Sequence, residues 1–291
     1  MSQHHNKKPE EQDVPTTGHE WDGITEYDKP LPRWWLYLLF ATMIWAVGYC
    51  IVYPAIPLVD GATRGTMGWG SREKLAAEMK AVEESRADII AQIKATPVEQ
   101  IPQNQQLMTF AVEGGRSAFK VYCAQCHGSG AAGSPGFPNL NDDDWIWGGD
   151  LPTIHQTIQH GIRDVLDEDT RQSIMPAFGK DGMLTPAQIR DVAAFVRVIS
   201  KQDKPSEASR RGAPLFADNC ASCHGASGTG NRELGAPNLT DAIWLFGGDT
   251  QSIVQTIHNS RFGVMPAWQQ RLEPVTVKQL AVYVHSLGGG E

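Results

Sequence analysis

The sequence predicts an all-α chain in which one membrane-spanning helix anchors two tandem copies of a small helical domain. From Trp34 to Val59 no residue is charged, and the apolar run through Tyr53 is long enough to cross a bilayer as one helix. After residue 110 the chain repeats itself almost to its end. Between these parts, residues 71 to 97 space Leu75, Met79, Val82 and Ile89 among Glu, Lys and Ala, the pattern of an amphipathic helix. The expected segments are a polar amino-terminal segment over 1–33, the transmembrane helix over 34–54, a linker with a helix over 55–107, a first domain over 108–203 and a second over 204–291.

Composition excludes more than it names. The 33 acidic residues outnumber the 25 basic ones, for a formal net charge of -8, which argues against a nucleic-acid partner because phosphate binding needs clustered Lys and Arg. Residues 1 to 33 mix charges of both signs without apolar periodicity and read as a mostly disordered tail, with His4 and His5 simply solvated.

Trp34, Trp35, Tyr49 and Tyr53 lie near the ends of the apolar run, where amphipathic rings favour the membrane interface. The run is too long and starts too late for a signal peptide. Lys29 and Arg33 before it are matched by Arg64 and Arg72 after it, so the positive-inside rule gives no orientation.

The repeat is dense in aligned residues. Gly115, Phe119, Cys123, Cys126, His127 and Gly128 match Gly212, Phe216, Cys220, Cys223, His224 and Gly225. Pro138-Asn139-Leu140 matches Pro237-Asn238-Leu239, and Trp145-Ile146-Trp147-Gly148-Gly149-Asp150 matches Trp244-Leu245-Phe246-Gly247-Gly248-Asp249. Met175-Pro176-Ala177-Phe178 matches Met265-Pro266-Ala267-Trp268, with a largely acidic insertion in the first copy between Ile158 and Met175. Each copy closes on a helix with Pro in its first turn, after Pro186 and after Pro274, and Thr185 with Gln188 forms a capping box in the first. Gly115/Phe119 are expected to cross Val192/Phe195, and Gly212/Phe216 to cross Leu280/Tyr283, within each domain.

Four of the five cysteines form the pairs Cys123/Cys126 and Cys220/Cys223, each followed directly by a histidine; Cys50 lies in the apolar run. Cys-x-x-Cys-His is the attachment signal for a c-type haem: two thiols make thioethers to the vinyl groups, and the next imidazole is carried onto the iron. A zinc site would need both pairs to converge across domains that each look complete, and a redox dithiol would need a βαβ context that is missing. Two occurrences at one position of a repeat imply two covalently bound haems c, with His127 and His224 as axial ligands. The carbonyls of Pro138 and Pro237 are expected to accept from the second ring nitrogens of these histidines. Met175 and Met265 are the candidate sixth ligands, since a thioether opposite an imidazole raises the reduction potential. Their pairing with the two irons is left open by the sequence. His155, His160 and His258 do not align between the copies and fit worse. Trp145, Trp147, Trp244 and Phe246 read as aromatic walls of the porphyrin pockets.

Each repeat resembles a class I cytochrome c domain. The chain as a whole, through Trp21-Asp22-Gly23-Ile24, Pro30-Leu31-Pro32-Arg33-Trp34-Trp35, a span ending Tyr53-Pro54 with Pro57, and two haem motifs, resembles the CcoP/FixP subunit of cbb3-type cytochrome c oxidase. That resemblance implies a non-catalytic electron-entry subunit in the bacterial inner membrane, with the amino terminus cytoplasmic and the haem domains periplasmic, where c-type haem is attached. It implies a cytochrome c or quinol:cytochrome c reductase as donor. It further implies a monohaem subunit and a haem-copper catalytic subunit as partners, the latter carrying out oxygen reduction. The competing reading is a free membrane-anchored dihaem cytochrome serving another reductase or dehydrogenase. A dihaem peroxidase would need an open iron position, which the available His and Met ligands argue against. Asp142, Asp143, Asp144, Asp164, Asp167, Glu168 and Asp169 are an acidic group that could steer a basic donor, or simply solvated loops.

Overall fold

The computed structural model describes residues 15–290; His4 and His5 lie outside the described residues. The chain divides into two compact units, one ending at Glu84 and the other starting at Ser85.

In the first unit, strands β1 (Thr16–Trp21) and β2 (Ile24–Tyr27) pair antiparallel, with Trp21 opposite Ile24 and Thr16 opposite Tyr27. This corrects the expected disordered tail over residues 16–27. The cause is local: Asp22 and Gly23 both have positive φ, 48° and 81°, the conformation of a tight two-residue hairpin turn that Asp-Gly favours.

Helix α1 (Arg33–Val52) has 20 residues and a mean hydropathy of 1.9 over its best window, giving about 30 Å of length, enough to cross a hydrocarbon core. None of its residues is buried within the chain, as a helix that anchors in lipid requires. It stops because Pro54 forces Tyr53 into extended backbone. Its last carbonyls are satisfied by the Thr66 and Met67 amides, which donate to Ile51 and Val52. The intervening chain turns through the two-residue strands β3 (Pro57–Leu58) and β4 (Gly61–Ala62). The expected helix is present as α2 (Ser71–Ala95), with Leu75, Met79 and Val82 of its expected apolar face exposed.

The second unit carries the repeats. Val98–Gln103 forms a 3₁₀ turn, followed by α3 (Gln105–Tyr122), the single turn α4 (Ala124–His127), α5 (Leu151–His160) and α6 (Pro186–Ile199). The second copy supplies α7 (Glu207–Asn219), the turn α8 (Ala221–His224), α9 (Thr250–Asn259) and α10 (Pro274–His285). Helix starts are written in the sequence. Asn104, Asp150, Ser206 and Asp249 each accept an amide of the first turn, and the capping box of Thr185 with Gln188 forms as expected.

The helix crossings differ from the expectation. Helix α3 packs on α10 and α7 packs on α6, so the first helix of each repeat crosses the last helix of the other. A Cβ on Gly115 would collide with the Gln279 carbonyl and the Tyr283 side chain; one on Gly212 would collide with the Asp191 carbonyl and Phe195. These are equivalent crossings with partners exchanged. Two homologous repeats offer interchangeable helix faces, and the short connection from Ser200 to Ser206 decides between them by folding α7 back on α6. Arg197 pins that connection through both oxygens of Asp203, at 2.6 and 3.0 Å.

Two cores result, and each draws on both copies. The first joins Leu107, Phe119, Leu151 and Ile158 to Val277, Leu280 and Val284, and takes in Ile93 of α2. The second joins Phe178, Ile189 and Val192 to Phe216, Ile253 and Ile257. Each fully buried side chain of this size contributes about 1.5–3 kcal/mol.

Candidate functional site

Both Cys-x-x-Cys-His segments have one geometry. Cys123 ends α3 and Cys220 ends α7, and each opens a single helical turn in which its carbonyl receives the amides of Cys126 and His127, or of Cys223 and His224, at 2.9 to 3.1 Å. Gly128 and Gly225 stop the turns with φ of 80° and 78°. One turn therefore sets two sulfurs and an imidazole on one side of the chain.

The imidazoles are fixed from behind. His127 Nδ1 donates to the Pro138 carbonyl and His224 Nδ1 to the Pro237 carbonyl, both at 3.0 Å, as the sequence predicts. With Nδ1 carrying the proton, Nε2 keeps its lone pair for a metal. Burial lowers the pKa of both rings against the opposing effect of that bond, so both are neutral near pH 7, the form that ligates.

The first thiol of each pair is shifted upward. Burial first, then the neighbouring Cys126 or Cys223, pushes Cys123 and Cys220 up to about 11. A redox dithiol or a zinc thiolate needs the opposite shift. A neutral Cys123 or Cys220 thiol beside a neutral imidazole fits covalent haem c. A second observation agrees: among the described residues, Trp244 Nε1 is a buried donor with no acceptor, whereas its counterpart Trp145 Nε1 donates to the Gly289 carbonyl. A haem carboxylate is an acceptor of the kind that orphan donor needs.

The methionines follow the exchanged helices. Met265 packs on the core that holds Cys123, and its backbone pairs with Ile162, amide to carbonyl at 3.0 and 2.9 Å in the two directions. Met175 packs on the core that holds Cys220, and its carbonyl accepts from Ser260 Oγ. Each Cys-x-x-Cys-His motif thus shares a core with the methionine of the other repeat. Of the three histidines set aside in the sequence, His160 Nδ1 is 3.1 Å from Asp167 and His258 Nδ1 3.0 Å from Asn259.

Trp147 and Phe246 each reach the other repeat. Trp147 packs on Gly235 and Phe246 on Gly136, each against the loop of the other repeat, and the Gly136 amide donates to the Leu245 carbonyl at 2.7 Å. Arg171 and Arg261, each four residues before a methionine, cover these rings at 5.1 and 5.0 Å. Sequence reasoning missed both arginines, although their equal spacing from Met175 and Met265 was visible.

The acidic group needs a correction. Asp164 and Asp167 are buried, at 7% and 5% exposure, and their oxygens accept from Ala267, Leu166, Asp169 and Gln269. They are structural residues of the insertion and do not present charge to a donor. Asp143, Glu168 and Asp169 remain exposed, with Asp142 and Asp144 half-buried.

Comparison with known proteins agrees with this architecture. Residues 13–60 match the N-terminal domain of cytochrome oxidase-cbb3, FixP, and residues 110–196 and 207–284 match cytochrome c oxidase, cbb3-type, subunit III. The chain is 51% identical to the cbb3-type cytochrome c oxidase subunit CcoP of Cereibacter sphaeroides, covering 95% of this chain and 96% of that one. It is 52% and 53% identical to the FixP subunits of Sinorhizobium medicae and Rhizobium meliloti, over the full length of each. Two tandem cytochrome segments behind one apolar helix, matched over the whole length, make this chain a member of the CcoP/FixP family of cbb3-type cytochrome c oxidase subunits.

Proposed function

We propose that the chain is the dihaem electron-entry subunit of a cbb3-type terminal oxidase, taking electrons from a cytochrome c or quinol:cytochrome c reductase. It hands them, through a monohaem subunit, to the haem-copper subunit that reduces oxygen. Cys123 and Cys126 hold one haem c and Cys220 and Cys223 the other. His127 and Met265 would ligate the iron of the first, and His224 and Met175 that of the second. The haem groups supply one-electron redox chemistry. The chain fixes the tautomer of each imidazole through Pro138 or Pro237, and would supply a thioether as the second protein ligand and aromatic rings as walls of the pockets. The polar amino-terminal segment lies in the cytoplasm and the haem modules in the periplasm, joined by α1.

The observation that carries this reading is the equivalence of the two sites: one attachment turn, one carbonyl-held imidazole and one Met-Pro-Ala segment on each core. Equal treatment of both irons by His and Met supports relay and argues against a peroxidase, which needs an open position. A pyridine haemochrome spectrum is expected to give two c haems per chain. Purification from native membranes is expected to bring a copper- and high-spin-haem-containing partner. Two c haems without that partner would favour a free anchored cytochrome, and fewer than two would end the proposal.

A further inference from the structure

Ala177 and Ala267 occupy one position of the repeat, two residues beyond Met175 and Met265. In both, the backbone amide donates to a carboxylate: Ala177 to Asp181 at 3.2 Å, Ala267 to Asp164 at 2.7 Å. The donors are equivalent and the acceptors are not. When Met265 is laid on Met175, the counterpart of Asp181 is Arg271. In the second copy the bond is closed instead by Asp164. Asp164 comes from the first repeat, in the insertion that the second repeat lacks.

The whole insertion is built around that reach. Ile162 pairs with Met265, Arg163 Nε donates to the Gly263 carbonyl at 2.8 Å, and Asp167 accepts from Gln269 at 2.7 Å. Alternate residues 263, 265, 267 and 269 are thus held by successive groups of one short loop. The loop is closed on itself: the Asp164 amide donates to Thr170 Oγ1 at 3.1 Å, the Arg163 amide to the Arg171 carbonyl at 2.8 Å, and the Leu166 amide to Asp164 Oδ1 at 3.0 Å. By contrast, the Met175 carbonyl accepts from Ser260 Oγ, and Asp181 of the same loop accepts from the Ala177 amide.

We propose that Asp164 is a positioning residue for the Met265 thioether, replacing in trans the carboxylate that Asp181 supplies beside Met175. The insertion is then the part of the first repeat that fixes a sulfur ligand delivered by the second. This rests on Met265 being an axial ligand. Groups that orient a metal ligand typically govern affinity by about tenfold or more, so loss of the Asp164 carboxylate is expected to loosen one thioether selectively.

The test uses the haem-loaded chain with Met175→His, which leaves Met265 as the source of the absorption band that marks thioether ligation of ferric iron. Adding Met265→Ala is expected to abolish the band. Adding Asp164→Ala is expected to weaken it strongly and to lower the reduction potential of one haem, while Asp169→Ala, an exposed carboxylate of the same loop, changes neither. If Asp164→Ala does not accumulate as a two-haem chain, Asp164→Asn, which keeps a single acceptor oxygen, is expected to weaken the band in the same direction. In an otherwise unaltered chain, Asp181→Ala is expected to lower the other potential. If Met265→Ala leaves the band intact, the ligand assignment fails. If Met265→Ala abolishes it while Asp164→Ala and Asp164→Asn leave band and potential unchanged, the assignment stands and the positioning role is overturned.

Discussion

Phe119 of α3 and Tyr283 of α10 pack ring on ring with centroids 5.4 Å apart, although they belong to different repeats. Phe195 and Phe216 make the equivalent contact at 5.2 Å. Aromatic pairs of this kind contribute about 0.5–1.5 kcal/mol beyond their burial. A double-mutant cycle of Phe119→Leu with Tyr283→Leu is therefore expected to show coupling of that order in chemical unfolding. The cycle of Phe119→Leu with Phe195→Leu is expected to be additive within about 0.5 kcal/mol. Coupling in the second cycle and none in the first would mean that the helices cross within repeats.

The exchanged crossings bear directly on ligation. In a chain carrying Cys220→Ser and Cys223→Ser, only the first haem can be attached. Met265→Ala is then expected to remove the thioether band and to lower the reduction potential, because a His/Met pair holds the potential high. Met175→Ala is expected to leave both unchanged. Redox titration with visible spectroscopy measures the two effects, and the opposite result would place the pairing within each repeat.

Much of this was legible before any coordinates. The attachment turns, the Pro138 and Pro237 acceptors, the capping box and the membrane-length helix follow from short-range chemistry, where spacing fixes geometry. The Asp22-Gly23 hairpin was also legible, with Trp21 and Ile24 flanking a turn dipeptide, but the surrounding mixed charge obscured it. The exchange of helices was not legible. Gly115 and Gly212 declare that something approaches closely, yet the faces around Asp191/Phe195 and Gln279/Tyr283 are equivalent by descent, and residue identity cannot choose between them. The choice is made by the Ser200–Ser206 connection. The burial of Asp164 was hidden for a similar reason: its partner Ala267 lies far along the chain, and a run of acids in an insertion reads as solvated until that partner is in place.

Asp144 gives a pH dependence of defined sign. Burial, then the charges of Asp241 and Asp142, push its carboxyl up to about 6, with Arg232 acting in the opposite direction and Asp143 adding slightly. The folded chain holds this proton to about pH 6, while the unfolded chain releases it near pH 4. The native state therefore binds more protons across that window, and this group's contribution to stability falls as pH rises through it and is constant above. Asp144→Asn is expected to be more stable than the parent at pH 7 by less than about 1 kcal/mol, since the side chain is half-solvated. The gain is expected to vanish near pH 4. A stability difference from thermal unfolding that stays equal at both pH values would remove Asp144 as its source.

Trp244 allows a test that separates packing from hydrogen bonding. Its ring packs in the second core, and its buried Nε1 has no acceptor among the described residues, a state that costs about 1–3 kcal/mol if nothing else supplies one. The first repeat solves the same problem with its partner segment, because Gly289 follows α10 and accepts from Trp145. Among the described residues no such acceptor reaches Trp244, and a haem carboxylate would satisfy it. In the haem-loaded chain Trp244→Phe, which keeps an aromatic ring and removes the donor, is expected to lower stability by about 1–3 kcal/mol. It is also expected to shift the potential of the haem held by Cys220 and Cys223. Trp145→Phe is expected to lower stability without moving either potential, since its acceptor is backbone. Thermal unfolding together with redox titration reads both quantities. If Trp244→Phe instead stabilises the loaded chain, its N–H has no bound acceptor and the carboxylate lies elsewhere.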